Sequence, residues 1–547
     1  MEEIFLGVDC GTQGLKCLAL EGETGEVLAR ASRKYDVIPG LPPGHSEQDP
    51  AAWVEALESA LGEVLSRTDA RAVKALAVSG QQHGFVPLDG EGRVIRPAKL
   101  WNDTSTAGEC REILEKVGGR KRFLELTGNG LPPGFTASKI LWLKKREPGN
   151  FARLKTILLP HDYLNFHLTG ILSMEPGDAS GTGLMDVRTG TWAAEVLRAI
   201  DPALEEKLPP LLEPGTFVGE VLPERAGALG LPPGVKVATG GGDNMMGALG
   251  TGNVLPGRVT ASLGTSGTIY AFSPSPIVDP EGEIAAFRDS TGGFLPLGCT
   301  MNVTVTTELF RGLFSMDHAA LEEAARSVPP GSEGVLVLPW FTGERTPDLP
   351  GAEGGILGLR PDNFSPAHLV RAAMEGATLG LGYVLGRMRS LGIRPDEIRL
   401  TGGDPGAPSG GKSAPASSAC PWCAPSRRRG RPWGRPSRPS GPGRGEGGRI
   451  FPASPTGSSA STPPPGPRRA RGRPTPTRPS ERSSHSGWSA WPPFSMAPLH
   501  SVGAGRPQEI LHSETGGRGK MVAPGGKAMR PSLGPHLGKF SPEDHGE

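Results

Sequence analysis

Residues 4–20 read IFLGVDCGTQGLKCLAL, and the fold turns on how they are read. Ile4-Phe-Leu-Gly-Val8 is an apolar run of strand length, Leu15 to Leu20 is a second, and the polar turn Asp9 to Gly14 lies between them. Two strands joined by a short glycine-rich loop form a hairpin whose tip exposes backbone N–H groups and the Thr12 hydroxyl, a setting that suits phosphate. The carboxylate of Asp9, at the end of the first strand, suits Mg²⁺, which prefers oxygen ligands and keeps much of its water shell. Taken alone, the stretch reads equally well as an ordinary hairpin with a polar turn. Glu23-Thr-Gly-Glu26 then turns the chain into a third strand at Val27.

The pattern returns in altered form at Ala261-Ser-Leu-Gly-Thr-Ser-Gly-Thr268, after the strand-like Gly257-Arg-Val-Thr260. Two such hairpins suggest a duplicated domain, each half giving one phosphate-binding tip to a cleft between them. Just before the second hairpin, Val237-Ala-Thr runs into Gly240-Gly-Gly242, Asp243 and a small-residue helix from Asn244. An acid exposed by glycines at a strand–helix junction is placed to take a proton from a substrate hydroxyl; it is equally placed to cap the helix, and the two roles coexist. Between the hairpins, polar clusters follow apolar segments: Gly80-Gln-Gln-His-Gly84, Lys99-Leu-Trp-Asn-Asp103, Pro132 to Lys139, Pro160-His-Asp-Tyr163 and Asp178 to Gly183. Amides, imidazole and acids at strand ends beside an indole are what a polyol needs: partners for several hydroxyls and an apolar plate for its carbon face.

Asp9-x-Gly-Thr-x-Gly14, Gly-Gln-Gln-His-Gly84, Trp-Asn-Asp103, Gly-Gly-Gly-Asp-Asn244, Ser-Leu-Gly-Thr-Ser-Gly267, Gly-Glu-Arg-Thr-Pro347 and Leu-Thr-Gly-Gly403 occur in this order. Over residues 3–403 the chain resembles the FGGY carbohydrate kinases. The resemblance implies an α/β fold of the actin/Hsp70/hexokinase kind, with two ribonuclease-H-like domains around a cleft, here residues 1–240 for the sugar and 241–403 for the nucleotide. It implies ATP and Mg²⁺, and transfer of the γ-phosphoryl group to the 5-hydroxyl of D-xylulose, with ribulose, gluconate or glycerol as the alternative acceptors. By the same resemblance Asp243 is the general base and Asp9 holds Mg²⁺. Gly11, Thr12 and Gln13 line the phosphate path, while Gln82 and His83 contact the sugar. Trp101 and Asp103 line its pocket, Gly264, Thr265 and Ser266 meet the nucleotide phosphates, and Gly402 and Gly403 begin the adenosine loop. Many relatives carry Met where this chain has Gln82, a departure expected to change contacts rather than chemistry.

After Gly403 the composition changes. Residues 404–547 hold 21 Lys+Arg against 8 Asp+Glu and are rich in Pro, Gly and Ser, so the whole-chain net charge of +1 hides an acidic front and a basic end. By composition this tail cannot bury a core and is expected to be disordered, leaving the second domain incomplete. Gly406 to Ser413 fits the phosphate-loop pattern G-x-x-x-x-G-K-S/T, yet Ala414 to Pro425 carries three prolines and no helical stripe, so the context fails. Reading each residue's third codon base with the first two of the next codon turns Gly406 to Lys412 into SPLWRKI, and Ser418 to Gly434 into GVPVVRPVEEEGAALGA. Those strings have the loop, helix and acidic segment that the family places there, so we read the tail as the product of a frame slip near Gly403–Asp404. The Cys420-Pro-Trp-Cys423 pair and the arginine run at 427–429 are then accidents of codon usage. If so, the chain is either an active kinase or an inactive product that at most binds sugar; a conformational ATPase is disfavoured by Gln82, His83 and Asp243. The start of the chain lacks a signal-peptide pattern, and six scattered cysteines suit a reduced, cytoplasmic protein. The expected partners are a small-molecule sugar and ATP, with no nucleic acid and no membrane; a homodimer is an admissible assembly.

Overall fold

A computed structural model describes residues 3–402. The expectations for Gly403, for the 404–547 tail and for Cys420 and Cys423 lie outside the described residues. The opening stretch forms β1 (Ile4–Cys10) and β2 (Gly14–Glu21), antiparallel, with β3 (Val27–Lys34) beside them. In β1, Ile4, Leu6, Val8 and Cys10 face inward while the residues between them do not, the period-two pattern of a strand with one covered face. The cover is α1 (Pro50–Leu65), which starts with Pro at its first turn and with the Asp49 carboxylate accepting the Ala51 N–H at 2.9 Å. Its buried Trp53, Leu57, Leu61 and Val64 recur at helical spacing and form one stripe against the sheet. At ~1.5–3 kcal/mol for each large apolar side chain buried, that stripe outweighs the helix's weak intrinsic preference.

β4 (Val73–Gly80) joins β1 in parallel, and β5 (Phe217–Glu220), β6 (Lys236–Ala238) and β7 (Gly241–Gly242) complete a sheet ordered β5-β6-β4-β1-β2-β3, with β7 pairing the end of β4. The first sheet thus runs two residues past the expected boundary at 240, because Gly241 and Gly242 pair with Ser79 and Gly80. Two helices support the cleft side: α2 (Thr136–Arg146) and α3 (Pro160–Thr169). A Cβ on Gly80 would sit 2.9 Å from the His161 backbone nitrogen, so the start of α3 approaches β4 closely only because that residue is glycine.

After α4 (Asp243–Gly250) the second sheet repeats the plan. β8 (Arg258–Leu263), β9 (Gly267–Ala271), β10 (Ala285–Arg288) and β11 (Phe294–Thr300) are followed by the long α5 (Pro366–Ser390) and by β12 (Glu397–Gly402). Their order is β10-β11-β9-β8-β12, with β8 antiparallel to β9 and parallel to β12, the relation β1 bears to β2 and β4. Leu381, Val384, Leu385 and Met388 of α5 pack on Val259, Ala261 and Ile269. Among the described residues no helix is long and apolar enough to cross a membrane.

Candidate active site

The carboxyl ends of parallel strands throw their loops over a crevice, and here β1, β4 and β7 end side by side: Cys10 pairs with Gly80, and Gly80 with Gly242. The turns bearing Asp9, Gln82, His83 and Asp243 therefore converge. In the second sheet Leu263 pairs with Gly402, which brings the Gly264–Ser266 turn beside Gly402. Gly402 has φ +106, and a Cβ there would lie 2.1 Å from the Leu263 carbonyl oxygen, so only glycine fits. A cleft of about 520 Å³ opens between the halves, with Gln82, His83 and Trp101 on one wall, Ser266 and Thr268 on the other, and Asp243 and Asn244 between them.

Asp243 begins α4, where its Oδ1 accepts the Asn244 backbone N–H at 2.8 Å and the Asn244 side-chain amide at 2.9 Å. The same Asn244 amide donates to Gln82 Oε1 at 2.8 Å, and Asn244 Oδ1 accepts from Thr268 Oγ1 at 2.9 Å. One side chain thus joins the first wall, the acid and the second hairpin. Asp243 touches the water of the open cleft, but the surrounding protein displaces most of its hydration, and Asp9 and Asp178 add negative charge; its pKa rises to about 7. A base must be ionised to accept a proton, so turnover is expected to fall about tenfold per pH unit as pH drops below the pKa. A pH–rate profile that stays flat down to pH 5 would remove Asp243 from proton transfer.

His83 lies against Phe135, with ring centroids 4.7 Å apart, and against Phe287 of β10 at 5.5 Å. Behind it is a fully buried carboxylate: Asp178 Oδ1 lies 3.5 Å from His83 Nδ1, and Asp178 Oδ2 lies 3.2 Å from His161 Nδ1. His161 Nε2 lies 3.0 Å from Asp162. Burial works against charge on Asp178, yet the two imidazoles more than offset it and hold its pKa at about 2. Burial, helped by the positive charges of Arg345 and Lys139, keeps the pKa of His83 below the usual imidazole value against the pull of Asp178. With Nδ1 turned to Asp178, Nε2 is the ring nitrogen left for the cleft.

The first hairpin tip is braced from below. Thr12 Oγ1 accepts the Trp101 indole N–H at 3.0 Å and donates to Gln81 Oε1 at 2.9 Å, and the Thr12 carbonyl accepts from Gln48 at 2.7 Å. The hydroxyl proton is therefore committed within the protein, and what Thr12 offers an anion is its backbone N–H. Gly11 N–H closes the turn on Gly14 at 3.1 Å, its carbonyl accepts from Tyr35 at 2.7 Å, and Gln13 is exposed at the tip. Asp9 Oδ1 accepts from Ser79 at 2.9 Å, which leaves Oδ2 for a cation, so the oxygens present fit hydrated Mg²⁺. The second turn holds Gly264 N–H on Ser266 O at 3.0 Å and Val303 N–H on Thr265 O at 3.2 Å.

One expectation is corrected. Asp103 does not line the pocket: it is fully buried and bonded to Lys99 Nζ at 3.0 Å, to the Ser46 N–H at 2.9 Å and to Ser105. An acid four residues after a buried lysine pairs locally before it can serve a ligand. Trp101, two residues earlier, does line the cleft.

Residues 4–250 match the model of the FGGY family of carbohydrate kinases, N-terminal domain, and residues 259–408 match that of its C-terminal domain. The chain belongs to the FGGY family of carbohydrate kinases. It is accordingly an enzyme that transfers phosphate from ATP to a carbohydrate. It is 42% identical over 408 residues to the xylulose kinase of Haemophilus influenzae, covering 73% of this chain and 83% of that one. The crystal structure of xylulose kinase from Bifidobacterium adolescentis superposes with a TM-score of 0.65 at 33% identity, over 77% of this chain and 87% of that one. The gluconate kinase of Lactobacillus acidophilus, at 23% identity, a TM-score of 0.69 and coverage of 74% and 82%, shares the fold.

In this FGGY chain, Asn244, Asp178 and His161 are site residues that the sequence named only within polar clusters or motifs, without a role of their own. Asn244 adjoins Asp243 in the same motif and was within reach of that argument. Both Asp178 and His161 lie in polar clusters the sequence displays, but their pairing carries no spacing signal and is visible only once the sheet is assembled.

Proposed function

We propose that this chain phosphorylates D-xylulose at its 5-hydroxyl with ATP. The observation that carries the reading is the convergence of Asp243, His83, Gln82 and Trp101, the last bonded to Thr12 of the first hairpin tip, with Ser266 and Thr268 of the second hairpin on one cleft. Identity of 42% and 36% to the xylulose kinases of Haemophilus influenzae and Klebsiella pneumoniae favours the ketose. His83 and Gln82 bind sugar hydroxyls, with Trp101 covering a carbon face. Asp243 takes the proton of the attacking hydroxyl. The N–H groups of Thr12 and Gln13 in the first tip and of Thr265 and Ser266 in the second orient the phosphates, Gly11 and Gly264 shape the two turns, and Gly402 opens the adenosine side. Mg²⁺, held through Asp9, supplies charge neutralisation on the phosphates when bound. Most of the acceleration in such a transfer is positioning and electrostatics, and exclusion of water protects ATP from hydrolysis. A coupled ADP-release assay with D-xylulose, D-ribulose, gluconate and glycerol tests the acceptor. The highest kcat/KM is expected for D-xylulose, and a higher value for any other acceptor contradicts the reading.

The frame slip near Gly403 belongs to the same reading. Its first-sheet counterpart β4 lies between β1 and β6, whereas β12 has β8 as its one partner strand among the described residues. Ile398 and Leu400 of β12 are 38% and 43% exposed. On the resemblance, SPLWRKI with the segment after it would supply further structure against this strand. Sequencing the codons for Leu400 to Gly410 tests this: one added or missing base is expected, and the restored chain should bind ATP at least about tenfold more tightly, a gain of ~1.4 kcal/mol. An intact reading frame together with unchanged ATP affinity in a chain carrying the alternative sequence defeats it.

A further inference from the structure

Lys139, in the first turn of α2, is fully buried, and among the described residues no carboxylate lies within ion-pairing distance of it. Asp103 and Asp178 act on it only at longer range. Its Nζ instead donates to two backbone carbonyls, those of His83 and Gly134, each at 2.7 Å. Burying an unpaired ammonium is costly, and burial pushes its pKa down to about 7. Structures keep such groups where something else needs them.

What needs it here is the His83 peptide. His83 has φ +61, a left-handed conformation that a side-chain-bearing residue holds only when its surroundings enforce it. The neighbourhood leaves the ring no slack: a Cβ on Gly181 would lie 1.9 Å from His83 Cε1. Gly134, the other residue held, approaches Trp101 so closely that a Cβ would meet its carbonyl oxygen at 2.1 Å. Gly134 also precedes Phe135, whose ring packs on His83. One ammonium therefore holds the two peptides from which the imidazole and its aromatic neighbour hang, with Thr136 Oγ1 adding a second bond to the His83 carbonyl at 3.2 Å.

We propose that Lys139 is a positioning residue for sugar binding: by clamping the His83 and Gly134 carbonyls it holds the His83 imidazole at the angle the sugar hydroxyl requires. It does not touch the sugar. The inference rests on the sugar-binding reading of this cleft and deepens it.

The test is isothermal titration of the full chain and of three variants, Lys139→Met, Lys139→Gln and Lys139→Ala, with D-xylulose, alongside thermal melting of each. Lys139→Met is expected to weaken sugar binding at least about tenfold, ~1.4 kcal/mol, while melting within a few degrees of the parent, since it also removes a buried charge. Lys139→Gln keeps a two-hydrogen donor and should fall between the two. Added ethylammonium should recover part of the sugar affinity of Lys139→Ala, a response that a merely space-filling lysine would not give. Unchanged sugar affinity in a folded Lys139→Met, failure of the amine to restore Lys139→Ala, or failure of all three variants to fold overturns the proposal. If the parent chain itself binds no sugar, the functional reading falls first and this one with it.

Discussion

Replacing Asp243 by alanine is expected to lower kcat for phosphoryl transfer by ~10²–10⁴ while D-xylulose binding remains detectable. The expectation follows from position. Asp243 stands at the head of α4 in the cleft, held by Asn244, which also bonds Thr268 of the second hairpin. Its raised pKa, about 7, matches a group that takes up a proton at neutral pH and gives it back. Sugar binding should survive because Gln82, His83 and Trp101 come from turns that follow other strands. Asn244 bonds to Gln82 and Thr268 as well as to Asp243, so the cleft keeps its brace when the acid is gone. Measured by coupled ADP release, near-parental turnover in this variant would strip Asp243 of its role.

Asp178→Ala is expected to cost ~3–5 kcal/mol of stability, because it removes the anion from a buried cluster and leaves the His161 imidazolium with Asp162 alone. Chemical denaturation of the two proteins measures this. Asp178 is also the group behind His83, so sugar affinity should fall with stability. The pH dependence has a definite sign. The folded-state pKa, about 2, lies below the usual 3.8, so the carboxylate's contribution stands in full at neutral pH and is lost as pH falls from about 4 toward 2. Glu175 works the other way: burial raises its pKa from 4.5 to about 7, so the fold prefers it protonated and loses that preference as pH rises through that window. A loss below 1 kcal/mol for Asp178→Ala would mean that His161 is neutral in the fold.

The two hairpins were legible in the sequence because their signals are local: period-two apolar runs and glycine turns at Asp9–Gly14 and Leu263–Gly267. Asp243 was legible for the same reason, since a strand, three glycines and a helix lie consecutively around it. Asp103 was misread because its decisive neighbour, Lys99, was treated as part of a polar cluster rather than as an ion-pair partner four residues away. The Thr12 hydroxyl was read as a phosphate contact, and only the folded chain reveals that Trp101 and Gln81 occupy it. Lys139 was beyond reach: its partners are backbone carbonyls, which carry no residue signature, and one of them lies 56 positions away.

The second domain repeats the plan of the first with a thinner cover, seen in the exposure of Ile398 and Leu400 and in the bare second edge of β12 among the described residues. On the roles proposed above, sugar contacts come mainly from the first half and phosphate contacts from both, so a loss confined to the second half should weaken ATP binding more than sugar binding.

The central claim is that this cleft carries phosphate from ATP to the terminal hydroxyl of a ketose. The most direct measurement is ³¹P and ¹³C NMR of the product formed from ATP and D-xylulose, run beside the Asp243→Ala variant. One new phosphate monoester, coupled to C5 and formed in proportion to ADP, is the predicted result, with none from the variant over the same period. Phosphate on another carbon, or inorganic phosphate accounting for the ADP, would contradict it.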